Sequence, residues 1–86
     1  MKNYEKTLKA LANRRRLEII KYLKHKKEAN VGDIANHLKL SFKSTSRHLA
    51  ILSGADFLDK EQKSVLVFYR LATNLSPLAK SIVSKI

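Results

Sequence analysis

The stretch DIANHLKLSFKSTSRHLAIL, residues 33–52, decides the fold of this chain. It reads as two short helices joined by a tight turn, the pattern of a helix-turn-helix. Ser41 opens the second helix, because its hydroxyl can accept from an otherwise unpaired backbone N–H of the first turn. Nothing from there to Ser53 breaks a helix. At about 100° per residue Thr45, Leu49 and Leu52 fall on one side, while Lys43, Ser46, Arg47 and Ala50 gather on the opposite one. The outward face combines small residues, which allow close approach, with two cations and hydroxyls able to meet phosphates and base edges. An ordinary amphipathic surface helix would alternate in the same way, so the rest of the chain must decide.

Upstream, Tyr4, Leu8 and Leu11 share a helical face, and residues 3–12 read as a first amphipathic helix. Asn13 offers an N-cap to a second helix over 14–25, with Leu17, Ile20 and Leu23 inward and Ile19 and Tyr22 widening the stripe. Arg14, Arg15 and Arg16 occupy its first turn, where the helix dipole disfavours cations by about 0.3–1 kcal/mol. A solvated cluster is the commoner explanation of such a run. Phosphate contact would account for its sign, which puts Arg14 and Arg15 among the candidate DNA contacts. The run Lys24, His25, Lys26, Lys27 complements the dipole at the other end and needs no function. Asn30 can cap a third helix, with Asp33 near its first-turn amides and Ile34, Ala35 and Leu38 as its apolar stripe. Leu40 plugs the turn that follows.

Downstream, Gly54 suits the C-terminus of the reading helix. The period then changes from helical to extended. Residues 58–60 and 65–71 are strand-like, and 61–64 make a polar connection of hairpin length. Val67, Tyr69 and Leu71 would share the buried face, with Lys60 and Lys63 near the exposed tip. Ser76 and Pro77 open a last helix within 74–86, proline standing where a missing N–H costs least. Leu78, Ile82 and Ile86 form a narrow stripe on a segment too short to be stable alone. Tyr4, Leu8 and Leu11, with Leu78, Ile82 and Ile86, are therefore the expected dimer interface, made by the terminal helices.

Composition narrows the partners. The 86 residues fit one domain, 1–86, with a single modest core. A hydrophobic fraction of 44% with two glycines and one proline suits a globular chain with little linker. Eighteen lysines and arginines against seven acids give a formal charge of +11, which favours a polyanion such as nucleic acid or an anionic membrane surface. No apolar run approaches a membrane span, and MKNYEKTLKAL at the N-terminus is too broken by charge for a signal peptide. No membrane partner and a cytoplasmic location are expected. The absence of cysteine excludes disulfides, thiolate metal ligands and thiol redox sensing.

Helix, helix, helix-turn-helix, hairpin and terminal helix is the order of a winged helix. The chain resembles the ArsR family of bacterial and archaeal repressors over nearly its whole length. LKALANRRRLEIIKYL is similar to that family's opening signature, DIANHLKLSFKSTSRHLAIL to its reading head and VFYRL to its returning wing strand. Ser46, Arg47, His48 and Leu49, with Leu52 three residues on, form the most specific of these motifs. The resemblance implies an α+β, mostly α winged helix-turn-helix of five helices with a two-stranded β wing. It also implies a second helix that enters the major groove and a wing that reaches the minor groove or backbone. Carried over by position, Lys43, Ser46 and Arg47 face bases or phosphates and Lys63 sits on the wing. Ser41, Ser44, His48 and Lys60 complete the candidate contacts.

Several positions depart from the family pattern. Phe42 stands where a base-reading polar residue, often glutamine, is usual; it either stacks on a thymine methyl or, the slightly favoured reading, packs inward. Asp56 replaces a usual glycine, the wing tip EQKS lacks one, and Arg14 replaces a common proline. Many members bind soft metals through Cys-Val-Cys at the start of the third helix, where this chain has Asn30 and Gly32. Others bind zinc through carboxylates and histidines of the terminal helix, and residues 76–86 contain neither. His37 lies i+4 from Asp33, a spacing that more often makes a surface hydrogen bond than a metal site. His25 is in a basic loop, and His48 is more suited to a structural or phosphate-directed role than to ligation. No metal and no cofactor are expected.

The leading expectation is a homodimeric, sequence-specific regulator of double-stranded DNA, a repressor reading an inverted repeat. One alternative is an architectural or weakly specific nucleic-acid binder, since charge alone supplies nonspecific affinity. Another is a winged-helix protein-interaction module, against which the high charge argues. No nucleophile, base and acid fall in a convincing catalytic spacing, and no glycine-rich phosphate loop is present, so an enzyme is not expected.

Overall fold

In the computed structural model, which describes residues 4–86, four of five helices begin on the capping residues that the sequence offers. Asn13, Asn30, Ser41 and Ser76 accept from the backbone N–H of Arg16, Asp33, Ser44 and Ala79 at 3.1, 2.8, 3.0 and 3.2 Å. Each such cap contributes about 1 kcal/mol. They open α2 (Arg14–Lys26), α3 (Val31–Leu38), α4 (Phe42–Gly54) and α5 (Pro77–Ser84), while α1 covers Tyr4–Leu11. Asn3, the expected start of the first helix, lies outside the described residues.

The core is built from the predicted stripes. Ile19, Ile20 and Leu23 of α2 meet Ile34 and Leu38 of α3 and Leu49 and Leu52 of α4, all buried. Leu17 and Tyr22 are only half-buried at its edge. Phe57, in the link after α4, is fully buried; its N–H donates to Leu52 C=O and its carbonyl accepts from Ala72 N–H. Thr45 is the one fully buried polar residue among the described residues, and its hydroxyl donates to Ser41 C=O at 2.9 Å. A buried hydroxyl left without that bond would cost about 1–3 kcal/mol.

Three strands, β1 (Ala29–Asn30), β2 (Leu58–Lys63) and β3 (Leu66–Leu71), form an antiparallel sheet in the order β1-β3-β2. Leu58 pairs with Leu71, Lys60 with Tyr69 and Lys63 with Leu66, while Ala29 pairs with Tyr69 on the far edge. Tyr69 and Leu71 lean on the core as expected. The hairpin differs from its reading in two ways. Glu61, Gln62 and Lys63 are strand residues, so the turn shrinks to Ser64 and Val65. Both faces of the protruding tip are wet, so polar side chains cost the ladder nothing. A third strand, β1, joins a hairpin expected to stand as two.

Two helix ends add detail to the sequence reading. Gly54 is the last residue of α4 and has no positive φ; the left-handed position after it is filled by Asp56, φ 66°. In α5 the buried residues are Ala79 and Val83, whereas Leu78, Ile82 and Ile86 are half-buried, the last two against the core. Among the described residues no helix is long and apolar enough to cross a membrane.

Candidate nucleic-acid interface

The turn between α3 and α4 fixes how the reading helix is presented. Lys39 takes the left-handed conformation at φ 57°, and Leu40 N–H donates to Ala35 C=O at 3.0 Å, which closes α3 before Ser41 caps α4. Leu40 is half-buried against the core, as a plug in this turn should be. With Thr45, Leu49 and Leu52 buried, Lys43, Arg47 and Ala50 are left exposed and Ser46 half-exposed. No acidic residue occurs anywhere on α4, and Ser41, Phe42 and Ser44 are exposed at its amino end. Positive dipole, two cations with no ion pair among the described residues, and hydroxyls thus converge on one convex face, which suits a polyanion read from a groove.

Phe42 does not pack inward. It is 64% exposed and lies outside the side chains packed on the core. On the helical wheel it sits near Leu49, but it lies two turns earlier along the axis, toward the amino end, where it stays largely exposed among the described residues.

The arginine run resolves into three roles. Arg16 turns back to α1, donating to Ala10 C=O at 2.7 Å and Lys9 C=O at 3.1 Å, and its Nη1 lies 3.2 Å from His48 Nδ1. Arg15 donates to Glu18 at 3.1 Å and to Leu38 C=O at 3.3 Å. Two cations disfavoured at the start of α2 therefore face the negative C-terminal ends of α1 and α3, which offsets the unfavourable dipole. Arg14 is exposed and makes no hydrogen bond or ion pair among the described residues, so it alone of the three is fully available to phosphate. Lys24, which the sequence reads only as a complement to the dipole of its own helix, likewise donates to Val83 C=O at 2.9 Å in the last turn of α5.

His48 is half-buried, and its pKa is lowered from the ordinary 6.5, first by burial and then by the charges of Arg16, Arg15 and Arg47. A guanidinium can only donate, so Nδ1 accepts and the proton of the neutral ring sits on Nε2. The residue is chiefly structural and joins α4 to α2.

On the wing, Lys60 lies mid-strand opposite Tyr69 rather than at the tip. Lys63 ends β2, but its ammonium is held 2.7 Å from Glu28 and 4.9 Å from the centroid of Phe68. The Glu28 hydrogen bond raises its pKa above the usual lysine value. The tip itself is Ser64 and Val65, the latter 87% exposed. Val65 reads as a strand residue in the sequence because it is β-branched, and nothing there marks it as the wing tip.

Of the expected dimer residues, Tyr4 and Leu8 are 55% and 51% exposed on α1. Leu11 is a correction: it is buried in the protomer's own core. A groove of about 550 Å³ runs between α2 and α3, walled by Arg15, Lys21, Lys26 and Lys39. The stacked rings of Tyr22 and His37, centroids 4.2 Å apart, also line it, so His37 is engaged by an aromatic partner.

The resemblance implies metal ligands in some members at the start of the third helix and on the terminal helix. The Asn30 side chain accepts from Asp33 N–H, Gly32 has no side chain, and α5 carries no Asp, Glu or His. Among the described residues no three His, Cys, Asp or Glu come together as a metal-binding group.

Comparison with known proteins agrees with this geometry. Residues 13–60 match the family described as bacterial regulatory protein, arsR family. The transcriptional activator HlyU of Vibrio cholerae is 38% identical over 66 residues, a match that covers 77% of this chain and 60% of that relative's length. Its solved structure superposes with a TM-score of 0.80 at 34% identity, covering 98% of this chain and 90% of that one. The arsenical resistance operon repressor of Bacillus subtilis is 34% identical over 83% of this chain and 68% of its own length. A homodimeric winged helix-turn-helix DNA-binding domain from Mycobacterium bovis, a possible ArsR-family regulator, gives a TM-score of 0.80 at 25% identity, covering 94% of this chain and 71% of that one. With helix-turn-helix, wing and sequence in agreement, the chain belongs to the arsR family of bacterial regulatory proteins, whose fold is that of DNA-binding transcription regulators rather than enzymes.

Proposed function

We propose that this protein is a sequence-specific transcriptional repressor that binds double-stranded DNA as a homodimer, laying α4 in the major groove of each half of an inverted repeat. The observation that carries the reading is the acid-free outer face of α4, where Lys43, Ser46, Arg47 and Ala50 stand clear of a core that fixes the helix from behind. The wing flanks it, and the formal charge of +11 supplies nonspecific attraction to phosphates. Repression fits a domain that occludes whatever DNA it covers, and the similar B. subtilis protein is named a repressor. Two reading helices would address half-sites roughly one helical turn apart, about 10 bp or a multiple.

Tyr4 and Leu8, exposed on α1, and Leu78 and Ile82, half-exposed on α5, supply the apolar surface for dimerisation, and 1–86 acts as one DNA-binding domain. Leu8→Glu should convert a dimer, measured by light scattering at micromolar concentration, into a monomer; a wild-type monomer would refute the dimer. DNA binding should be unchanged by chelators or by added zinc, copper, nickel or cobalt, because neither metal site of the family has ligands here.

The deciding experiment is selection of bound duplexes from a random library, followed by titration against competitor DNA. A recovered inverted repeat that survives excess competitor supports the repressor. Binding without sequence preference would instead mean an architectural protein, and no binding at low salt a protein-interaction module.

A further inference from the structure

We infer that Phe42 reads the C5-methyl group of a thymine in the major groove, one in each half-site. The inference rests on the DNA-binding reading above and names part of its specificity. Phe42 is the first residue of α4, and residues near the amino end of such a reading helix are those that approach base edges. It is 64% exposed, has no aromatic or cationic partner among the described residues, and does not pack on the core. A phenyl ring left largely in water at the start of a helix adds little to the stability of the protomer, and most of its surface is open to whatever the helix meets.

The neighbours define what that is. Phe42, Ser46 and Ala50 follow one another at i, i+4 and i+8, a row of one large ring and two small side chains. Lys43 and Arg47 make the adjacent row. Small residues at 46 and 50 let the helix approach the groove floor, and the cationic row can reach phosphates or a guanine edge. The ring cannot donate or accept a conventional hydrogen bond. Pressed on a purine N7, a guanine O6 or a cytosine amino group, it would strip water from a polar atom and return nothing. The thymine methyl is the one apolar group on the major-groove floor, and contact with it removes apolar surface from water on both partners. A glutamine at the same position would prefer the N6 and N7 of adenine instead.

The test replaces thymines of the selected duplex, one position per half-site at a time, by uracil, which lacks only the methyl group. Burial of one methyl group is worth about fourfold in affinity, so wild type should lose about fourfold per half-site at one thymine position and little elsewhere. Phe42→Ala should bind more weakly than wild type and be indifferent to uracil at that position. Phe42→Gln should shift the preferred base there from thymine toward adenine. Circular dichroism of both variants checks the fold, which an exposed residue should leave intact. Wild-type indifference to uracil at every thymine, a preferred site without thymine in the half-site, or persistence of the uracil effect in Phe42→Ala would each overturn the inference while sequence-specific binding stands. If no preferred site exists at all, the DNA-reading proposal and this inference fail together.

Discussion

Arg16 Nη1 lies 3.2 Å from His48 Nδ1, and the same guanidinium donates to the carbonyls of Lys9 and Ala10. One side chain therefore ties the end of α1, the start of α2 and the middle of α4. Because Arg16 can only donate, the link requires a neutral imidazole.

That requirement makes the fold sensitive to pH. Burial, and after it the charges of Arg16, Arg15 and Arg47, lower the His48 pKa below 6.5. The unfolded chain then takes up this proton at a higher pH than the folded protein does, so protonation favours unfolding. The contribution is complete above the unfolded value and is lost as pH falls from there toward the folded one. Urea midpoints should decline as pH falls below about 7 in the wild type, and less steeply in His48→Asn, whose amide oxygen can accept from Arg16 without titrating. Parallel declines in the two proteins would remove His48 from the account.

Arg16→Ala removes the donor from three acceptors at once, the carbonyls of Lys9 and Ala10 and the ring of His48. Hydrogen bonds from charged groups contribute about 1.5–3 kcal/mol where partly buried, so a loss of about 2–3 kcal/mol is expected in chemical denaturation. Arg14→Ala, at an exposed side chain with no partner among the described residues, should stay within about 0.5 kcal/mol of wild type. Equal effects of the two substitutions would mean that the arginines act only through net charge.

What sequence makes legible here is whatever is local. The caps at Asn13, Asn30, Ser41 and Ser76 and the stripe of Thr45, Leu49 and Leu52 depend on neighbours within a few residues, and all appear where expected. Arg15 and Lys24 reach helix-terminal carbonyls 23 and 59 residues away, Arg16 reaches those of the preceding helix across a turn, and no periodicity announces any of them. Strand β1 is hidden for the same reason, since Ala29 and Asn30 become a strand only by pairing with Tyr69 and Phe68. Phe42 and Leu11 escape a helical wheel because it gives the direction of a side chain but not where the core ends along the axis.

Gly54 offers a stabilising change. It ends α4 without a positive φ, and a Cβ built there meets nothing within 4 Å. Alanine restricts the unfolded chain and favours the helix, so Gly54→Ala should raise stability by about 0.4–1 kcal/mol. A decrease in the denaturation midpoint would show that the α4 exit needs glycine after all.

Arg47 is exposed on the outer face of α4 and can donate two parallel hydrogen bonds to a guanine edge. Arg47→Ala should cost about 1–3 kcal/mol in binding to the selected site and flatten the preference at one base per half-site. A uniform loss over all sequences would reassign it as a phosphate anchor.

The wing holds one of its cations in check. Lys63 is bonded to Glu28 at 2.7 Å and lies over Phe68, so contact with a phosphate must displace a carboxylate already in place. Truncating Lys63 should therefore change DNA affinity less than truncating Lys60, which is exposed and has no ion pair among the described residues and whose loss should lower the salt dependence by about one unit for each phosphate no longer neutralised. The informative substitution is on the other partner. Glu28→Gln removes the competing negative charge, which frees the ammonium and raises the net charge near the wing by one unit, so it should tighten binding to all sequences alike and steepen the salt dependence. In the double variant Glu28→Gln with Lys63→Ala, the gain should shrink to the part that net charge alone supplies. If Glu28→Gln tightens binding equally with and without Lys63, the freed lysine takes no part in DNA binding and the effect is one of overall charge.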